Sequence, residues 1–227
     1  MNYKNILSIL GFLFFGVGIV MAISGASPTQ VGAQTRWAGN AAASLTTEGG
    51  NITAANVAAE TLTDKWADFY GNISGNISLR DSGSRVYTWT WSPASGGEVC
   101  LSTASAFAFS PISGSSAVAA NTQLAFGTAS DNFTNTYNAT CDSDLSFAQS
   151  SVTAATSAAA KLQGSSGFTD CAINTTVTSS KDDYAFCTHI NSTGTAYNGA
   201  SSHYEIMVPT TFSPSATDTY FFYAELN

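Results

Sequence analysis

The chain has 227 residues, of which only 10% are charged, and 15 acidic against 7 basic side chains give a formal charge of −8. That balance speaks against a nucleic-acid binder, which needs a basic footprint. It is not the composition of a disordered chain either, because 14 Phe, 9 Tyr and 4 Trp spread along it can build a core.

At the start, Lys4 precedes an uncharged, mostly apolar stretch from Ile6 to Ala22, and small and polar residues follow. This is the layout of a Sec signal peptide. Ala22-Ile23-Ser24 and Ser24-Gly25-Ala26 both put small side chains at the first and third positions before a cut. Residues 1–26 are therefore read as a leader, with the mature start near Gly25 or Ser27. The alternative is an uncleaved anchor, for which the stretch is at the short edge of what spans a bilayer. Membrane contact is expected through this segment alone, since no later one is apolar enough to span, and the protein is expected outside the cell.

Residues 27–47 are small and polar, with Trp37 the only large apolar group, and read as a flexible spacer or as a strand that needs a partner. The rest, 48–227, is expected to form a single domain, a size that supports one sizeable core.

Strand-like segments dominate it, with β-branched and aromatic residues alternating between Gly, Asn, Ser and Asp clusters. They run from Asn51 to Leu62, Trp66 to Tyr70, Asn76 to Arg80, Val86 to Trp91, Glu98 to Phe109, Phe168 to Thr178, Tyr184 to Ile190, His203 to Val208 and Thr219 to Leu226. In the clearest, Tyr87, Trp89 and Trp91 share a face that should be core. Between the first segments, Gly71-Asn-Ile-Ser and Gly75-Asn-Ile-Ser mark a bend, where Gly and Asn accept positive φ. The Ala-rich run from Ser151 to Gln163 could be one helix stopped by Gly164, or a loop, because its Ser and Thr weaken the helical preference. Together these predict an all-β, antiparallel β-sandwich, Ig-like, with at most one short helix.

Seven N-x-[ST] sequons, at Asn51, Asn72, Asn76, Asn132, Asn138, Asn174 and Asn191, are candidate glycosylation sites. Glycans there would add hydration that the few charges do not provide. The four cysteines, Cys100, Cys141, Cys171 and Cys187, predict two disulfides in an oxidising compartment. Three pairings are open. The favoured one joins Cys171 to Cys187 across a hairpin that turns at residues 179–183, leaving Cys100 with Cys141.

No set of residues completes a catalytic signature. In Gly71-Asn72-Ile73-Ser74-Gly75 the serine stands one place too late for a nucleophile elbow. His189 and His203 could each serve one of many serines as a base, but a surface or strand role explains them as well. Asp142 with Asp144 and Asp182 with Asp183 are close in sequence, which does not place two carboxyls across a sugar cleft. Asp131, Asp142 and Asp144 fall short of a calcium loop. No metal, cofactor or catalytic residue is therefore assigned. Aromatic rows such as Tyr87, Trp89 and Trp91, or Tyr220, Phe222 and Tyr223, and the ring of Trp66, are assigned to packing; a solvent-exposed row would point instead to sugar stacking.

Two strings, Lys65-Trp66-Ala67-Asp68-Phe69-Tyr70 running on through Leu79, and Tyr204-Glu205-Ile206-Met207-Val208-Pro209 with Thr219 to Leu226, stand in the same chain as Val86 to Trp91. In these the chain resembles a group of secreted archaeal β-rich proteins. The resemblance implies an extracytoplasmic archaeal protein and no catalytic residues; the four cysteines depart from that pattern.

The expected role is a non-catalytic structural or interaction protein of the cell surface, self-assembling or bound to other surface proteins, as in a filament or envelope layer. Residues 27–47 or the last strand could be donated to a neighbour's sheet. A glycan-binding adhesin or solute-binding module is the alternative, and a secreted hydrolase the third.

Overall fold

The computed structural model describes residues 23–39, 41–176, 178–211 and 217–227. The expected leader lies outside them except for Ile23 to Ala26. Among the described residues no helix is long and apolar enough to cross a membrane.

The chain is all-β and sandwich-like. Its main sheet is antiparallel, in the order β1 (Ser24–Gly25), β14 (Phe221–Leu226), β5 (Gly97–Ser102), β12 (Tyr184–His189), β11 (Asp170–Thr175), β10 (Ala158–Ala160), β7 (Ala139–Thr140). A short strand, β6 (Ile112–Gly114), pairs with the far half of β11. Over one face lies a two-stranded sheet of β2 (Trp66–Gly71) and β13 (Tyr204–Pro209), with two short helices, α1 (Ala117–Gln123) and α2 (Phe133–Thr136). The other face is packed by the hairpin β8 (Leu145–Phe147) and β9 (Ser150–Val152) and by Phe107 and Phe109. A further hairpin, β3 (Asn76–Arg80) with β4 (Arg85–Thr90), pairs only with itself among the described residues.

Covering both faces explains the central strands. Every residue of β5 is buried, and alternate side chains enter two different cores. Val99 and Leu101 join Phe186, Ile206 and Val208 in one. Cys100 joins Cys187, Ile173 and Tyr223 in the other. Where β5 begins, β14 comes so close that a Cβ on Gly97, whose φ is +124°, would meet the Glu225 carbonyl oxygen at 2.1 Å, so only glycine fits.

Most of the expected strands form, and the bend at residues 72–75 separates β2 from β3. Four expectations are corrected. The run from Ser151 to Gln163 is not a helix: it holds the end of β9, a 3-10 turn and β10. Ala158, Ala159 and Ala160 are consecutive and all buried, a requirement that a strand between two covered faces meets and a one-faced helix does not. Helix instead occurs twice, in α1 and α2, each begun by a side chain that accepts a backbone N–H, Ser116 from Ala119 and Asn132 from Asn135. Residues 51–62 form no strand. Tyr87 and Trp89 are 58% and 48% exposed, and only Trp91 of that row is core.

The disulfides join Cys100 to Cys187 and Cys141 to Cys171. The hairpin of β11 and β12 forms as expected and even sets Cys171 opposite Cys187, yet those two are not bonded to each other. Cys187 also stands opposite Cys100 on its other side. The 4.1 Å between the Cα atoms of Cys100 and Cys187 is the spacing of a non-hydrogen-bonded antiparallel pair. The backbone N–H and C=O of Cys187 then point toward β11, which makes Cys171 the wider, hydrogen-bonded neighbour.

Two acids are buried among these layers. Asp170 is fully buried; its Oδ2 accepts the Met207 N–H at 2.6 Å, and its Oδ1 has no partner among the described residues. Burial holds its pKa well above the carboxylate range, only partly offset by the Met207 N–H, and Asp68 and Glu205 add repulsion. The Tyr137 hydroxyl, close enough to feel Asp170, donates to the Met207 carbonyl. Glu98, 3% exposed, is raised by burial to about 7 against the pull of the Ser146 N–H, with Glu225 opposite it adding to the rise.

Two stability predictions follow from these layers. A carboxyl whose pKa is raised by folding favours the folded state while protonated, and that contribution is lost between the unfolded pKa, about 4, and the folded one. Melting midpoints should therefore fall from pH 4 to pH 8, and Asp170→Asn should flatten the fall; a profile level over that range in the native protein contradicts this. Loop closure makes the Cys100–Cys187 bond, 87 residues apart in sequence, the larger stabiliser, about 4 to 5 kcal/mol, against about 3 to 4 for Cys141–Cys171, 30 apart. Denaturant unfolding of the two paired Cys→Ala variants should rank them in that order.

Candidate functional site

The folded body begins at Thr63, later than the boundary expected at residue 48. Before it, residues 27–39 and 41–62 are exposed throughout and pair with no strand of the body. Val31, Ile52 and Val57 are 96%, 102% and 89% exposed, so apolar groups that a core would ordinarily claim stand in water. Two parts of the arm meet where Trp37 lines a shallow depression beside Glu60 and Leu62.

Its root is fastened. Asp131 accepts the Thr63 hydroxyl at 2.8 Å and the Lys65 ammonium at 2.9 Å, and the Trp66 indole N–H donates to the Asp131 carbonyl at 2.8 Å. The Lys65 contact holds the Asp131 carboxyl below its usual range. Trp66 then inserts beside Phe126, Phe133 and Tyr137, with ring centroids 4.8 to 5.7 Å away, a packing role as expected for it.

At the arm's other end, Ser24 and Gly25 pair with Ala224 and Tyr223 along the outer edge of β14, and Ile23 is buried beside them. Beyond this two-residue pairing, no strand covers that edge among the described residues. Row residues Phe222 and Tyr223 are packed, as is Tyr220. A second uncovered surface is the β3–β4 hairpin. Cross-strand pairs Ile77–Trp89 and Leu79–Tyr87 put four large apolar side chains on one face, all at least 44% exposed. The rings of Tyr87 and Trp89 lie 4.8 Å apart but tilted by 56°, so they form no flat platform.

The candidate polar residues separate into distinct places. Asp182 accepts the Thr103 hydroxyl, and Asp183 caps its own turn through the N–H groups of Ser179 and Ser180. Asp144 accepts the Ala154 N–H at 2.7 Å, while Asp142 is held by Lys161 and Thr169. His203 lies against the backbone of Ile73. Only His189 and Asp142 meet, lining one cavity of about 380 Å³ together with Ser143, Thr169 and Asn191. There the Ser143 hydroxyl lies 2.8 Å from His189 Nε2, and Glu98 Oε1 lies 3.6 Å from Nδ1. Sequence reading passes over Ser143 and Glu98. Glu98 is brought to His189 only by the pairing register of β5 and β12, in which the two stand opposite each other.

Among the sequons, Asn51, Asn72, Asn76 and Asn138 are exposed. Asn132 is buried and spends its side-chain oxygen on capping α2. Asn174 accepts the Ser113 hydroxyl, and Asn191 donates to the Gly167 carbonyl, both from half-buried positions.

No protein-family model, curated protein or solved structure matches the chain.

Removing the root's acceptor, as in Asp131→Ala, should cost about 1 to 3 kcal/mol, since it withdraws charge-assisted hydrogen bonds from part-buried donors. Urea unfolding checks this, and a loss under about 0.3 kcal/mol would show that the root is not fastened there.

Proposed function

We propose that this chain is a structural subunit of an extracellular filament or envelope layer at an archaeal cell surface, assembled by donating its N-terminal arm to a neighbouring copy. The observation that carries this is the arm itself: residues 27–39 and 41–62 include a segment that reads as a strand by sequence, Asn51 to Leu62, and this pairs with no strand among the described residues. A strand needs a ladder of hydrogen bonds from somewhere, and a second copy can supply it.

Two uncovered surfaces suit such a donor. Cleavage near Gly25 or Ser27 would remove Ile23 and Ser24 from the edge of β14, leaving a row of free backbone groups and the pocket that Ile23 fills. Val31, Ile52 or Val57 of a neighbour's arm could enter that pocket. The apolar face of the β3–β4 hairpin is the second. The two disulfides suit an oxidising, extracellular setting, and a surface with few charges lowers the repulsion between copies.

Glycan binding is favoured by one observation, the exposure of Tyr87 and Trp89. The tilt between their rings and the aliphatic neighbours Ile77 and Leu79 favour a covering protein chain over a sugar.

Immunogold electron microscopy of the native cell surface should label filaments or a lattice, and the purified protein should form multimers. An Ile52→Asp/Val57→Asp variant should lose the multimers while its unfolding free energy stays within about 0.5 kcal/mol of native, since both side chains are exposed outside the body. Diffuse label, or a native protein that stays monomeric at high concentration, would overturn the reading; binding on a glycan array would then support the alternative.

A further inference from the structure

The cavity beside β12 has no part in strand donation, yet Ser143 and His189 line it and buried Glu98 stands behind His189, three groups in the order that nucleophilic catalysis uses. The Ser143 hydroxyl is exposed and lies 2.8 Å from His189 Nε2, within reach for proton transfer. On the far side of the ring, Nδ1 faces Glu98 Oε1 at 3.6 Å. Glu98 is fixed in place by its position on β5, by the Ser146 N–H at 3.1 Å and by the Asn227 amide. Ser146 lies in β8, three residues after Ser143, so the contact that holds the acid also anchors the strand into which the bend carrying the hydroxyl leads. Asp142, the residue before Ser143, is near enough to His189 to feel its charge. Nε2 thus faces the hydroxyl and Nδ1 the buried acid, the orientation that a base between a nucleophile and a positioning acid requires.

We propose that Ser143, His189 and Glu98 form an acyl-transfer site in which Ser143 is the nucleophile, His189 the general base and Glu98 the residue that positions His189. Ser143 Oγ attacks the carbonyl carbon of an ester while its proton passes to His189 Nε2. The carbon–oxygen bond of the ester breaks, and the same proton leaves with the alcohol. Water, activated by His189, then cleaves the acyl-serine to release the acid and restore the hydroxyl. A cavity of about 380 Å³ lined by Ser95, Thr169, Asn191 and Ser192 suits a small acyl group carried on a hydroxylated alcohol such as a sugar. This site stands whether or not the chain polymerises.

The dependence on pH has a defined sense. Glu98 faces His189 on β12, Glu225 on β14, the Ser146 N–H and the Asn227 amide, and His189 faces Asp142 as well. Burial holds the Glu98 carboxyl near 7, so the charge that steadies a protonated His189 appears as pH rises through that value. Reactivity of Ser143 should rise across it.

The test uses a fluorophosphonate probe, which labels activated serines without knowledge of the substrate. Incubation of the disulfide-intact protein, followed by intact-mass and peptide mass spectrometry, should find one adduct, on Ser143, absent in Ser143→Ala. His189→Gln should slow labelling at least about 100-fold. Glu98→Gln should slow labelling more at pH 8 than at pH 6, an effect a purely structural role would not produce. Melting midpoints of each variant show that the fold is retained; Ser143→Ala, at an exposed position, keeps the test valid even if a buried variant misfolds. No adduct on Ser143, adducts spread over many serines, or a rate unchanged in His189→Gln would each overturn the proposal.

Discussion

Three cysteines stand in a row across the middle of the sheet, Cys100 on β5, Cys187 on β12 and Cys171 on β11, and the registers of those strands are fixed by that row. A slip of one residue in any of them would turn a cysteine from one core to the other and leave a thiol without its partner. Because Cys141 is bonded to Cys171, the short strands that follow β6, each too brief to hold its place by pairing alone, are tied to the same row. With the register set, His189 falls opposite Glu98, Gly97 falls where β14 passes closest, and Asp170 falls beneath Met207 of the covering layer.

What could be read from the sequence tracks how local the cause is. The strands from β2 to β5 and from β11 to β14 announce themselves by alternation and by turn residues at their ends, and most of their cores were legible. The run of buried alanines in β10 was not, because a small residue gives the same signal to a helix and to a strand squeezed between two layers. Pairing of the cysteines could not be read either: two candidates faced Cys187, and the choice between them depends on which way its backbone groups point. Exposure of Tyr87 and Trp89 reverses the usual inference from an alternating strand. Alternation shows that one face differs from the other, and whether anything covers that face is settled elsewhere in the chain or by another molecule.

The same distinction applies to the polar groups. Several acids near each other in sequence turned out to be turn caps and surface ion pairs, each with its own partner. Groups that meet at His189 come from β5, β12 and the bend before β8, and no spacing in the chain hints at their meeting. Buried carboxyls such as Asp170 were equally silent in sequence, since an aspartate at the head of a strand looks like any other turn residue.

How the arm is joined to the body carries a mechanical consequence. Residue 63 leads directly into β2, which begins at the plug of aromatic rings around Trp66 and lies antiparallel to β13 over six paired residues. A load drawn along the arm would be aligned with β2, so it would bear on all six pairs at once instead of peeling them one at a time. In the proposed filament, a pull on a donated arm would thus be met by shear across the whole β2–β13 ladder.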